Sequence, residues 1–116
     1  MARVVHRHDS NRCVLAADAA VADSVLGKAR GLMFRRSFPG DGLVFPFGGG
    51  GTRTLHMVCV TFDIDAVWVL DCRVERVARL PAWTGLGRAS ADTVIELPAG
   101  TADAVTAGDE IRVERS

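Results

Sequence analysis

The chain has no charge excess, no long apolar run and too few cysteines for a disulfide framework. Each absence closes off a class of protein. Its 14 basic and 14 acidic residues cancel, and no basic stripe marks a nucleic-acid face. All the basic residues but Lys28 are arginine, a skew from which no partner is inferred. No window approaches the roughly 18 unbroken apolar residues of a membrane span. The start, MARVVHRHDSN, lacks the apolar centre of a secretory signal. Cys13, Cys59 and Cys72 are odd in number and not closely spaced, so a reducing, cytoplasmic setting is expected. There is no internal repeat or linker. There is no Gly-x-Ser-x-Gly elbow, and no histidine has a sequence-level link to a nucleophile. The glycines Gly48 to Gly51 lack the Gly-Lys-Ser/Thr ending of a phosphate loop and read as a flexible hairpin or flap.

What remains is strand-forming sequence. A chain of 116 residues suits a single domain, taken as residues 1–116. Ala2 to His8 is a β-rich run ended by the turn cluster Asp9-Ser10-Asn11, and a returning strand starts at Cys13 and continues toward Val21. Val25, Leu26, Ala29 and Leu32 recur at helical spacing behind a Ser24 or Asp23 cap, so one clear helix is expected over Ser24 to Gly31. Strands are expected over Gly42 to Phe47, Thr54 to Val60 and Ile64 to Leu70, with Pro46 at a strand end or sheet edge. The stretch Pro81 to Ser90 reads as the longest loop, and Gly100 to Gly108 as a second, short helix. The spacing of turns predicts a mainly β fold, a compact sandwich or barrel of about eight short strands.

Candidate chemistry gathers near the middle of the chain. In a regular strand His56 and Cys59 point to opposite faces, so they cannot share a metal, and Met57 and Cys59 read as core residues. No metal or cofactor is expected. His6 and His8 read as exposed edge residues. Ile64 to Leu70 is apolar on both faces, which places it under cover on both sides. Asp65 within it therefore needs a partner, with Arg30, Arg35 and Arg53 as the candidates. The best reading is a non-catalytic module binding a small anionic ligand or a protein segment. Its site would use Arg35, Arg53, His56, Asp65 and Trp83, with the glycine loop and the Trp83 loop as walls, because guanidinium forks suit carboxylates and phosphates. The alternatives are a hydrolase or transferase using Asp65 or His56 as acid/base, and a purely structural accessory domain. The expected state is a monomer with no nucleic-acid or membrane partner.

Three blocks carry a family resemblance: GLMFRRSFPGDGLVFPF (Gly31 to Phe47), LHMVCVTFDIDAVWVLD (Leu55 to Asp71) and ELPAGTADAVTAGDEIRV (Glu96 to Val113). In order and spacing the chain resembles domain of unknown function 192. Gly31, Leu32, Met33 and Arg35 match its Gly-Leu-Met-x-Arg, and Met57 and Asp65 its central block. Leu97 to Gly100 match its Leu-Pro-Ala-Gly, and Gly108 and Asp109 its Gly-Asp. The resemblance implies a compact, mostly β fold and brings no activity, cofactor or substrate. Many bacterial relatives read Trp-Met-Lys-Asn-Thr where this chain has His56, Met57, Val58, Cys59 and Val60. Cys72 stands where the relatives' turn ends in glycine. A bare Asp71-Cys72 turn needs positive φ at non-glycine residues, so a longer turn with Cys72 partly exposed is expected.

Overall fold

The structure, a computed structural model, describes residues 2–23 and 32–115. Nine strands are present among them: β1 (Ala2–His8), β2 (Asn11–Val21), β3 (Leu43–Pro46), β4 (Thr52–His56), β5 (Ile64–Leu70), β6 (Arg73–Leu80), β7 (Leu86–Ser90), β8 (Thr93–Pro98) and β9 (Glu110–Arg115). Seven of them close a barrel in the order β1-β2-β3-β8-β5-β6-β9, and β4 and β7 form a separate two-stranded ribbon. The β2–β3 pairing is parallel and the rest are antiparallel. The expected choice between sandwich and barrel is thus resolved as a barrel.

β5 is the central strand, and its two faces serve two cores. Val67 and Val69 share one cluster with Ile95 and Leu97 of the neighbouring β8 and with Val4, Val44 and Ile111 of β1, β3 and β9, so this face fills the barrel interior. Ile64, Ala66 and Trp68 face outward beneath a second cluster with Leu43, Phe45, Met57, Val60 and Val94. The β4–β7 ribbon covers that outer face. Trp68 is fully buried and its indole Nε1 donates to the Arg53 carbonyl oxygen at 2.9 Å. Gly87 lies directly on the ring, where a Cβ would come within 2.7 Å of Trp68 Cη2. The ribbon can seat on Trp68 because that position carries no side chain. The double burial inferred from the Ile64 to Leu70 pattern is therefore observed.

The barrel's last seam is narrow. β6 and β9 are paired only at Arg73 and Glu110, and the chain from Ala99 to Asp109 fills the rest. Ala102 and Val105 insert into the barrel core, while Gly108 N donates to Val74 O and Val74 N to Asp109 O. The short helix expected over Gly100 to Gly108 is a run of turns instead. Gly100 and Gly108 both take positive φ (98° and 93°), and aspartates outside the segment take up its amides. So short a helix has little stability of its own, and these contacts dictate another path. No helix occurs among the described residues, which corrects the expected mainly β fold with one clear and one possible short helix to all-β there. The helix expected over Ser24 to Gly31 lies outside the described residues. No helix of the described residues is long and apolar enough to cross a membrane.

Three local readings are also corrected. The strand expected over Thr54 to Val60 ends at His56, and Met57 begins a turn in which Cys59 adopts φ 63°. Strand alternation therefore does not govern Met57 and Cys59. Met57 is nonetheless core (1% exposed). The turn between β5 and β6 is the bare Asp71-Cys72 pair, with φ 50° and 63°. Two successive positive φ values define the hairpin turn whose twist matches that of the strands, and here two non-glycine residues adopt it. Cys72 is exposed, as expected. The long loop from Pro81 to Ser90 contains β7.

Candidate binding surface

The β4–β7 ribbon turns one face to Trp68 and the other to solvent. Alternation places Thr52, Thr54 and His56 of β4 outward, with Leu86, Arg88 and Ser90 of β7 beside them. Thr54 pairs with Arg88 and His56 with Leu86. Leu86 is 68% exposed, an apolar side chain where the pattern otherwise supplies polar ones.

The ribbon continues into three turns that hydrogen bonds tie together. Met57 N donates to Gly85 O, Phe34 N to Cys59 O and Trp83 N to Val60 O. Asp63 accepts the Ala82 amide at 2.8 Å. Beneath them Met57 packs against Gly85, where a Cβ would lie 2.6 Å from Met57 Cγ. Phe34, Cys59 and Trp83, one in each turn, all adopt φ of 63–66°. That left-handed conformation costs a non-glycine residue roughly 1–2 kcal/mol, and such strain gathers at functional positions. Phe34, Val58, Trp83 and Leu86 project from this end of the molecule and are four of the five exposed large apolar side chains among the described residues. His56, Arg36 and Arg88, all exposed, accompany them.

Of the residues singled out in the sequence, His56 and Trp83 belong to this surface. His56 Nδ1 accepts the Val58 amide at 3.3 Å. Trp83 is exposed. Arg35 is half-buried in the adjoining turn, its amide donating to Leu32 O. Arg53 lies elsewhere: its guanidinium covers Phe47 at 4.1 Å and donates to Ala91 O and Gly49 O, holding the glycine loop. That loop borders a different depression, with Leu70, Asp71 and Asp92, so it does not face the Trp83 turn. Asp65 is committed inside the fold. Oδ1 accepts Arg79 Nε, and Oδ2 accepts the amides of Gly100 and Ala102, all at 2.9 Å. Among the described residues its cation is Arg79, and not Arg35 or Arg53, because Arg79 stands opposite it in the β5–β6 register; the third candidate, Arg30, lies outside the described residues. No hydrogen bond joins His56 to Asp65 among the described residues.

Two features escaped the sequence reading. His6 is buried rather than exposed. His6 Nε2 and His8 Nδ1 share the Asp109 carboxylate at 2.7 and 2.5 Å, and Thr106 N donates to the same group. Burial works to raise the Asp109 carboxyl, but the hydrogen bonds from His6, His8 and Thr106 outweigh it and hold it well below the usual carboxylate range. The Asp109 hydrogen bond in turn raises His8. The clue was the period-2 spacing of His6 and His8, which puts both on one strand face. The second feature is Glu96, buried on the outer wall between Leu43 and Ala66. Its Oε1 has no hydrogen-bond partner among the described residues, and desolvation pushes its carboxyl up to about 7. No sequence signal separated it from an ordinary strand glutamate. No group of three or more potential metal-binding side chains occurs among the described residues.

The geometry agrees with known relatives. Residues 4–113 match the family DUF192, described as an uncharacterized ACR. The chain belongs to that family. Two of the three motif blocks meet at the seam that closes the barrel: the second supplies Asp65, and the third the Leu97 to Gly100 turn and Asp109. A solved protein of unknown function from Novosphingobium aromaticivorans is 26% identical, with a TM-score of 0.77 over 95% of this chain and 83% of that one. A second solved structure, from Sinorhizobium meliloti and described as "a putative transcription regulator", is 23% identical, with a TM-score of 0.81 over 97% of this chain and 92% of that one. At that identity the likeness carries the fold alone. No curated protein matches the chain.

Proposed function

We propose that this DUF192 protein is a non-catalytic binding module that takes a protein segment on the exposed end formed by Phe34, Val58, Trp83 and Leu86. The observation that carries this reading is a set of four exposed apolar side chains, three of them on hydrogen-bonded turns that each hold a non-glycine residue at positive φ, and Leu86 at the adjoining start of β7. Grouped exposed apolar residues mark interaction surfaces. A turn network that bears strain presents them rigidly, which lowers the entropy lost on binding. The accompanying cations, Arg36 and Arg88, favour a segment that sets apolar anchors among acidic residues, since complementary charge steers and orients the encounter.

The test is selection from a displayed random-peptide library on the purified protein, followed by fluorescence titration of the selected peptides. Trp68 is fully buried and Trp83 is 55% exposed, so a change in emission reports Trp83. The expected winners combine aromatic or leucine anchors with Asp or Glu. Trp83→Gly, which suits the positive φ, and Leu86→Ser should each weaken them by about 2 kcal/mol or more. A library that yields no binder, or binders indifferent to both changes, overturns the reading.

A further inference from the structure

On the flank of the ribbon, Thr54, Arg76, Leu86, Gly87 and Arg88 line an open depression of about 520 Å³. Its two cations come from different strands. Arg88 lies on the outward face of β7, opposite Thr54. Arg76 comes from β6, directly after a register shift that leaves Glu75 as the bulged residue between the Trp68–Arg76 and Val69–Val74 pairs. Such a bulge re-aims the neighbouring side chain. Arg76 is fixed at two points: its guanidinium lies 5.4 Å from the centre of the Trp68 ring, and Nη1 donates to the Arg88 carbonyl oxygen at 3.0 Å. The other donors of its five-donor fork remain available.

Among the described residues no carboxylate answers either charge. The arginine ion pairs among the described residues engage Arg3, Arg79, Arg112 and Arg115. Glu75 forms none with Arg76. In a chain whose charges balance overall, two guanidiniums that line one depression without an acid repel one another. One of them is also pre-positioned. An oxyanion placed between them would remove the repulsion and satisfy forks shaped for it. The Thr54 hydroxyl adds a further donor, the Gly87 position leaves the approach open, and Leu86 offers an apolar wall to whatever carries the anion.

We infer that this depression is an oxyanion site, with Arg76 and Arg88 as binding groups and a carboxylate or phosphate attached to an apolar body as its ligand class. The depression shares Leu86 and Arg88 with the docking surface but adds Arg76, Thr54 and Gly87, and it is in place whether or not a segment covers the apolar turns.

The test is a titration of the labelled protein with inorganic phosphate and, separately, with glutarate, following the arginine Nε–Hε resonances by NMR. Saturable, millimolar shifts confined to Arg76 and Arg88 are expected. Stronger binding of one probe tells a phosphoryl ligand from a carboxylate. Arg88→Gln should weaken binding about tenfold, as expected for loss of one charge-assisted contact. Arg76→Lys keeps the charge but loses the planar fork, and should weaken it as well. Arg112, paired with Glu110, serves as the internal control. Non-saturating shifts shared by Arg112, or saturable binding unchanged in both variants, overturn the proposal. Neither result decides the peptide selection, which is read by emission at Trp83, a residue outside the depression.

Discussion

Asp65 accepts the Ala102 amide at 2.9 Å, and this bond starts the segment whose other end Asp109 holds through Thr106. Two aspartates from separate parts of the chain thus fasten one irregular stretch into the gap between β6 and β9. Hydrogen bonds to charged acceptors are stronger than neutral ones, and here they stand in for the strand pairing that the seam lacks.

Asp65→Ala should therefore be among the more destabilising single changes, by about 3–5 kcal/mol, as for one partner removed from a buried ionic network. Urea denaturation measures it. Arg79→Ala should cost much less, because the Arg79 side chain is half exposed and solvent compensates for its loss. Equal losses would show that the ion pair, and not the amide contacts, holds the seam.

Stability should depend on pH through three groups. Glu96 is raised to about 7 from the 4.5 of a free glutamate, so the folded state binds its proton more tightly. Stability is greatest below about 4.5 from this source and falls as pH rises to about 7, by about 3 kcal/mol. His8 is likewise raised above 6.5, so its contribution is full below that value and is lost as pH climbs through its folded pKa. Asp109 is depressed, so its contribution is present above the ordinary aspartate value and disappears in acid. Melting temperature against pH should decline from mildly acid to neutral conditions. Glu96→Gln should flatten that decline, and His8→Gln should remove the part above 6.5.

The ribbon depends on two close approaches. Gly85→Ala would drive a Cβ to 2.6 Å from Met57 Cγ and 2.8 Å from the Pro81 carbonyl oxygen. Backbone cannot yield as a side-chain tip can, so a loss of about 1–3 kcal/mol is expected. Trp68→Ala should cost about 3–5 kcal/mol by leaving a cavity beneath the ribbon. Hydrogen exchange should rise in β4 and β7 in both variants, ahead of the barrel strands.

The Asp71-Cys72 hairpin offers the opposite sign. Cys72 holds φ 63° without the freedom of glycine, so Cys72→Gly should stabilise the protein by about 1 kcal/mol. A melting temperature that falls would mean that the Cys72 side chain contributes contacts exceeding its strain.

The hydrophobic period of Ile64 to Leu70 announced a strand covered on both faces, and the three motif blocks announced the family. Both are properties of contiguous residues, so they survive without knowledge of the fold. The same local reading misplaced Met57 and Cys59, because the end of β4 is set by where the ribbon meets Gly85. It also made Gly100 to Gly108 a helix, because the two aspartates that redirect that stretch lie outside it.

By itself, then, the sequence determined that this is a small β protein with a doubly buried central strand, since which face of a strand is apolar is written in alternate residues. Only the tertiary structure decided that the sheet closes as a barrel, that Arg79 answers Asp65, that His6 meets Asp109 from 103 positions away, and that Arg76 stands beside Arg88. Those pairings follow from strand register and closure, and side-chain periodicity is the same for every register that keeps the apolar face inside.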